Sequence, residues 1–167
     1  MSNKFSFINL ALVLLLASFN ACNQKPTVDE PLEVGRYVFK KLKVLPETSI
    51  DDYIDYHLPY EKVKKYGGDE KNNRRWRWFD YSQVEWNETL EDDLNDLKYD
   101  AGPKGLKWSE IEYLDFAYSV DTINKYSYLE GELFFEEDQK VFSVDVNALT
   151  DGTRFEIFEI NHFYEYE

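Results

Sequence analysis

The chain has 167 residues, of which 33 are acidic and 19 are basic, so its formal net charge is −14 at pH 7. Because affinity for nucleic acid depends largely on cationic contacts with phosphates, this balance predicts no nucleic-acid partner. High charge alone would be typical of a disordered chain. The dense aromatic content, 13 Tyr, 12 Phe and 4 Trp, predicts instead a folded domain with a bulky core.

The N-terminal segment has the layout of a secretory signal peptide. Lys4 supplies a positive charge, and residues 10–17 form an unbroken apolar run. This run is shorter than the roughly 20 apolar residues that a membrane-spanning helix needs. The next segment, Phe-Asn-Ala-Cys at 19–22, resembles the lipobox of bacterial lipoproteins, which implies removal of residues 1–21 and lipidation of Cys22. The alternatives are secretion after ordinary cleavage, for which Phe19 is poorly suited, and a buried N-terminal helix.

Lipidation would also explain why a secreted chain carries one unpaired thiol, since Cys22 is its only cysteine. Several acyl chains on this residue would anchor the protein stably to a membrane. Residues 22–30 are polar and predict a tether, and residues 31–167 have the length of a single domain. We expect location in the cell envelope. Asn23 favours the outer membrane or cell surface over the inner membrane, because it is not the Asp that retains lipoproteins there in some bacteria.

The first half of the domain has helical periodicity. The patterns predict helices over 31–43, from about 48 to 58, and over 81–99, with a short helical segment at 61–66 that ends at Gly67 and Gly68. Asp29 is the expected N-cap of the first helix. The predicted buried positions are Val34, Val38, Phe39 and Leu42, then Ile50, Tyr53, Ile54, His57 and Leu58, and finally Trp86, Leu90, Leu94 and Leu97.

From Trp108 onward the apolar period changes to two, which indicates strands. Four strands are predicted at 111–120, 126–136, 140–149 and 154–166, joined by short turns into an antiparallel meander. Asp151 and Gly152 give the strongest hairpin signal. On the first strand, alternation places Leu114, Phe116 and Tyr118 on one face, and Ile111, Tyr113 and Ala117 on the other.

Helices followed by a curved antiparallel sheet give an α+β fold in the order of the cystatin-like roll. The chain resembles the NTF2-like group of such rolls in its helix at 31–43, its second helix with Tyr53 and Ile54, and the meander opened by Trp108, Ile111 and Tyr113. The resemblance covers most of residues 31–167. It implies a cone between helices and sheet that often binds a ligand, and occasionally carries out catalysis with an Asp/His or Tyr/Asp pair. The alternative is another α+β arrangement with helices on one face of the sheet.

Residues with catalytic or metal-binding potential are few. With two histidines and one cysteine, we expect neither a metal site nor a cofactor. His57 and His162 are interpreted as partly packed structural residues. A pair between His162 and Asp115 or Asp145 is geometrically open, since all three lie on predicted strands. The many acidic residues are interpreted as a solvated face, so no catalytic residue is predicted.

The one unusual local cluster combines arginines with tryptophans. It consists of Arg74, Arg75, Trp76, Arg77 and Trp78. Such a cluster can bind sugars, an acidic partner or a membrane surface. In the alternative interpretation, the tryptophans pack inward and the arginines pair with the acidic helix that follows.

The sequence therefore predicts a membrane-anchored envelope lipoprotein with a non-catalytic domain that binds a small molecule or an envelope protein. A small envelope enzyme of the NTF2-like group, and an immunity or inhibitor protein whose acidic surface covers a basic enzyme, remain alternatives. The oligomeric state stays open: the resemblance allows a homodimer, because rolls of this type commonly dimerise through the outer sheet face, and apolar residues on both faces of the last strand suggest that this face is covered. These residues are Phe155, Ile157, Phe158, Ile160, Phe163 and Tyr164.

Overall fold

The computed structural model describes residues 29–69, 80–123 and 126–166. Within these ranges four α-helices precede four strands. The helices are α1 (Pro31–Leu42), α2 (Ile50–Tyr56), α3 (Tyr60–Asp69) and α4 (Gln83–Ala101). The strands are β1 (Glu112–Ile123), β2 (Tyr126–Glu137), β3 (Lys140–Thr150) and β4 (Glu156–Tyr166), and they form one antiparallel sheet in chain order. The predicted α+β class and the four-stranded meander are confirmed.

Two regions that the sequence singled out lie outside the described residues. They are the N-terminal segment with Cys22, and the cluster of Arg74, Arg75, Trp76, Arg77 and Trp78. Their predicted roles remain predictions. None of the helices within the described ranges is long and apolar enough to cross a membrane.

The helix boundaries follow from local capping. Ser49 accepts a hydrogen bond from the Asp52 backbone N–H at the start of α2, and Ser82 and Glu85 form a reciprocal capping box at the start of α4. The expected N-cap at Asp29 is wrong, because Glu30 occupies that position and α1 begins without a side-chain cap. Proline suits this start because its missing N–H would have no helical partner there.

The predicted end of α3 at Gly67 and Gly68 is also wrong, because the helix continues to Asp69. Glycine costs only about 1 kcal/mol in a helix interior and does not forbid helical geometry. The buried side chains of Val63 and Tyr66 anchor the preceding turn in the core.

One hydrophobic core lies between the helices and the inner face of the sheet. The inner face is built from completely buried residues of β2, β3 and β4: Leu129, Leu133, Phe135, Phe142, Val144, Val146, Ala148 and Ile160. The helical stripes predicted from sequence enter the same core, including Val34, Val38 and Leu42 of α1, and Leu90 of α4. α1 packs across β1, β2 and β3, and α4 packs along β4.

Phe116 of β1 lies between two glycines. A Cβ atom added to Gly35 of α1 would lie 2.4 Å from the Phe116 ring, and one added to Gly131 of β2 would lie 2.4 Å from the other end of that ring. Both distances are far below van der Waals contact. The absence of side chains at these two positions therefore lets α1 approach the sheet with the phenyl ring between them.

A β-bulge at Leu114 changes the predicted faces of β1. Tyr113 pairs with Phe135, whereas Phe116 pairs with Leu133, and the register shifts between Tyr113 and Asp115. Because one extra residue reverses the alternation, Tyr113 and Phe116 both face inward, and their predicted placement on opposite faces is wrong.

Two irregularities in β4 explain its mixed apolar pattern. The register with β3 shifts at Phe158, whose ring stacks on Tyr128 of the outer face with centroids 5.7 Å apart. It shifts again at His162, and the following Phe163 packs on Phe142 in the core at 5.4 Å. Phe158 and Phe163 are thus accounted for within the domain, whereas Tyr164 is 46% exposed. The β3–β4 connection spans residues 151–155, so Asp151 and Gly152 belong to a longer loop rather than a two-residue turn.

Candidate functional site

The outer face of the sheet carries most of the polar groups of the strands. Side chains alternate between the two faces of a strand. Leu129 and Leu133 of β2 face the core, so Glu130 and Glu132 face away from it. Glu130 lies opposite Asn147, and Glu132 lies opposite Asp145. The sheet therefore presents a double row of carboxylates and amides on the side away from the helices.

These residues line an open groove of about 530 Å³. Its walls and floor are formed by Ala117, Tyr118, Ser119, Tyr128, Glu130, Gly131, Glu132, Asp145 and Asn147. No lysine or arginine is found among these lining residues of the described chain. Ligand sites commonly have volumes of about 300–1,000 Å³, so the groove is large enough for an extended organic molecule or a few side chains of a partner.

Hydrogen bonds hold the polar groups of the groove in place. Ser143 and Tyr166 donate their hydroxyls to the same carboxylate oxygen of Glu132, with Ser143 Oγ 2.7 Å away. Tyr128 donates its hydroxyl to Asn147 Oδ1 at 3.2 Å, and Asn147 donates its amide to Glu159 at 2.7 Å. Such a network fixes the side-chain positions before a ligand arrives, which lowers the entropic cost of binding.

His162 lies beside Asp145, which lines the groove. Its Nδ1 atom is 3.0 Å from Asp145 Oδ2, so the structure brings together one of the two His–Asp pairs that the sequence left open. The backbone of His162 has a φ of 50°, in the left-handed region, and this conformation accompanies the bulge in β4. The ring is 63% exposed, and within the described chain its hydrogen bond is with Asp145. The pair thus orients a carboxylate beside the groove.

A second pair of acidic groups lies where α4 meets β4. Burial raises the pKa of Asp93 to about 8, and the nearby Glu159 carboxylate adds to this rise. Burial also raises the pKa of Glu159, while its hydrogen bond from Asn147 and the charge of His162 oppose the rise. Asp93 Oδ2 is buried without a hydrogen-bond partner among the described residues. Asp93 therefore holds its proton at neutral pH, because a second negative charge beside Glu159 would be costly.

His57 belongs to the core rather than to a site. Its Nδ1 atom lies 2.7 Å from the Tyr53 carbonyl oxygen, and its ring packs against those of Tyr53 and Tyr56. The predicted structural role is consistent with this position, although His57 is more deeply buried than expected. Within the described chain, no group of three or more His, Cys, Asp or Glu residues is arranged to hold a metal ion.

Sequence reasoning missed the groove, although its signal was present. Strands β2 and β3 alternate apolar with polar residues. The polar positions of this alternation include Glu130, Glu132, Asp145 and Asn147. Interpreting these acids as a general solvated surface overlooked the register, which places the four side chains next to one another.

Comparison with protein-family models, with curated proteins and with solved structures finds no match to this chain. The chemistry of the groove is therefore the main guide to function.

Proposed function

We propose that this protein is a lipid-anchored binding protein of the bacterial cell envelope, and that the outer sheet face of its domain binds a positively charged ligand non-catalytically. The groove of about 530 Å³ on that face is the observation that supports the proposal most directly. It combines the volume of a binding site with a lining of acidic, amide and tyrosine side chains.

The lining favours a cation for two reasons. Glu130, Glu132 and Asp145 contribute carboxylates to the described lining, and these give the groove an acidic character. Tyr128 adds an aromatic ring, and such rings attract cations through their electron-rich faces. Because hydrogen bonds already orient Glu132 and Asn147, a cation would bind without reorganising them.

The fold supports a binding site on the outside of the sheet. We propose a cystatin-like, NTF2-like roll, because α1 lies across β1, β2 and β3 in front of the meander. In that group the inner cone often binds the ligand. Here Leu133, Phe135 and Phe142 on the inner face are completely buried, and these side chains take up space that a ligand would need. On the opposite face, the groove offers groups that match a polar ligand.

The proposed anchor is Cys22, followed by a tether that reaches the domain at Pro31. Eight intervening residues, 23–30, span at most about 28 Å when extended, so the domain would remain close to the membrane. Mass spectrometry of the protein purified from membranes should show Cys22 as the N-terminal residue with acyl chains attached. The Cys22→Ser variant should be released into the soluble fraction. An unprocessed N-terminus, or a processed chain without an acyl adduct, would contradict the anchor.

The groove is tested with spermine as a defined polycation. We expect the Glu130→Gln/Glu132→Gln double variant to bind spermine about tenfold more weakly than the unchanged protein, since two ion-pairing groups worth about 0.5–1 kcal/mol each are lost. Isothermal titration calorimetry of the detergent-solubilised full chain measures the change. Binding should also weaken as salt is added.

The matched control is Glu88→Gln/Glu91→Gln, which removes the same charge from exposed positions of α4. This control should bind spermine within about twofold of the unchanged protein, because screening limits the effect of distant surface charges. Equal loss in both double variants would show that net charge, rather than the groove, attracts the cation. No binding at all would refute the groove as a cation site.

A further inference from the structure

The two edges of the sheet differ in how the chain covers them. At the β4 edge, the Leu58 backbone N–H donates to the Ile157 carbonyl oxygen, and His57 forms a parallel bridge with Ile157. α4 packs along the same strand. At the opposite edge, β1 pairs with β2 alone within the described part of the chain. Among the described residues, no other strand pairs with this side of β1.

β1 has a bulge at Leu114 and three acidic side chains, but it lacks other features that usually protect an edge. Natural edge strands carry prolines, lysines, bulges or short lengths that discourage another strand from pairing. β1 has twelve residues, none of them Pro, Lys or Arg, and after the bulge at Leu114 its register with β2 is regular from Asp115 to Ile123. Apolar side chains are exposed along it, with Leu114 at 42%, Tyr118 at 46% and Val120 at 41%.

We infer that the open edge of β1 binds an extended segment of a partner protein as a fifth strand, with lysine or arginine at alternate positions of that segment. The inference rests on the proposed function, because it assigns the cation groove to the basic side chains of this segment. Strand addition to a sheet edge is an established mode of peptide recognition, in which main-chain hydrogen bonds supply affinity and alternate side chains supply specificity.

The geometry relates the edge to the groove. An added strand would lie about 4.8 Å from β1, and every second side chain would face the outer side of the sheet. There it would lie next to Ala117 and Ser119, whose small side chains border the groove. Long basic side chains can extend over these two residues toward Glu130 and Glu132 on β2. The alternate side chains of the added strand would face the inner side of the sheet, next to Tyr118 and Val120. The expected partner therefore alternates basic with apolar residues.

Charge argues against a second copy of this chain as the occupant. β1 contains Glu112, Asp115 and Asp121 and no basic residue. An antiparallel pairing of two β1 strands centred on Tyr118 would place Asp115 opposite Asp121, and like charges in directly opposed positions are destabilising. A basic segment would instead face complementary charge along the whole edge.

The test uses an eight-residue peptide of alternating lysine and valine with blocked ends, titrated by calorimetry into the detergent-solubilised full chain. A control peptide has the same composition in two blocks, four lysines followed by four valines. We expect the alternating peptide to bind at least about tenfold more tightly than the block peptide. The Glu130→Gln/Glu132→Gln variant should weaken this binding, and the Glu88→Gln/Glu91→Gln variant should not.

N-methylation of single peptide amides then reports on main-chain pairing. Methylating every second amide in turn removes hydrogen bonds to β1, so these peptides should bind about tenfold more weakly, while methylation of the intervening amides should change binding little. Uniform tolerance of methylation, with binding that still depends on Glu130 and Glu132, would refute strand addition and leave the cation groove standing. Failure of both spermine and the peptides to bind would refute both. Concentration-dependent dimerisation that the peptide cannot reverse would assign the edge to a second copy and overturn the inference.

Discussion

Replacing Gly35 or Gly131 with alanine is expected to destabilise the domain by about 2–3 kcal/mol, the upper part of the usual range for overpacking a core. The added methyl group would lie 2.4 Å from the Phe116 ring at either position. Phe116 cannot move away easily, because α1 and β2 confine it from opposite sides. For Gly35→Ala, this loss of stability would be opposite in sign to the effect of helix propensity, because alanine is more favourable than glycine in a helix by about 1 kcal/mol. Urea unfolding followed by circular dichroism measures the change.

Gly102→Ala provides the matched control. An added Cβ atom there meets nothing within 4 Å, and the backbone is helical with a φ of −55°, so we expect a change of less than about 0.5 kcal/mol. Combining Gly131→Ala with Phe116→Leu should destabilise less than the sum of the two single changes, because the smaller side chain relieves the clash. Equal stability of Gly35→Ala and Gly102→Ala would contradict the proposed packing of Phe116.

Periodicity predicted the elements well because each element is amphipathic on its own. The apolar stripe of Trp86, Leu90, Leu94 and Leu97 defines α4 without any tertiary information, and all four residues are buried. The change to a period of two after Trp108 likewise identified the meander. Helix ends were less predictable. α3 passes through Gly67 because the packing of Tyr66 outweighs a small local cost.

The bulges could not be predicted and the groove was missed, because both depend on strand register. A single inserted residue at Leu114 places Tyr113 and Phe116 on the same face. The alternation of apolar and polar residues along β1 does not show where such a residue is inserted. The contact between His162 and Asp145 arises in the same way, from the bulge in β4. The sequence left two partners open for His162, namely Asp115 and Asp145, and only the strand register decides between them. The acidic groove was missed for a related reason: alternation marks its polar residues on each strand, but only the register places the residues of three strands side by side.

The buried acid at the α4–β4 contact predicts an unusual pH dependence of stability. In the unfolded chain Asp93 should ionise with its ordinary pKa of 3.8, whereas the folded protein raises this pKa to about 8. Between these two values the unfolded chain binds fewer protons than the folded protein, so the free energy of unfolding falls as pH rises. Each pKa unit corresponds to about 1.4 kcal/mol. Ionised Asp93 would face Glu159 of β4 together with Asp92 and Asp96 of its own helix, all of them negative.

Asp93→Asn is therefore expected to stabilise the domain at pH 8 by at least about 2 kcal/mol and to change its stability little at about pH 3, where most of the aspartate is protonated in both states. Urea unfolding at several pH values measures the difference between the variant and the unchanged protein, which removes the contribution of the other acids. Glu88→Gln on the exposed face of α4 serves as the control and should show no such trend. A gain for Asp93→Asn that is equal at both pH values would mean that Asp93 titrates alike in the folded and unfolded chains. The burial of its carboxyl group beside Glu159 would then have to be abandoned.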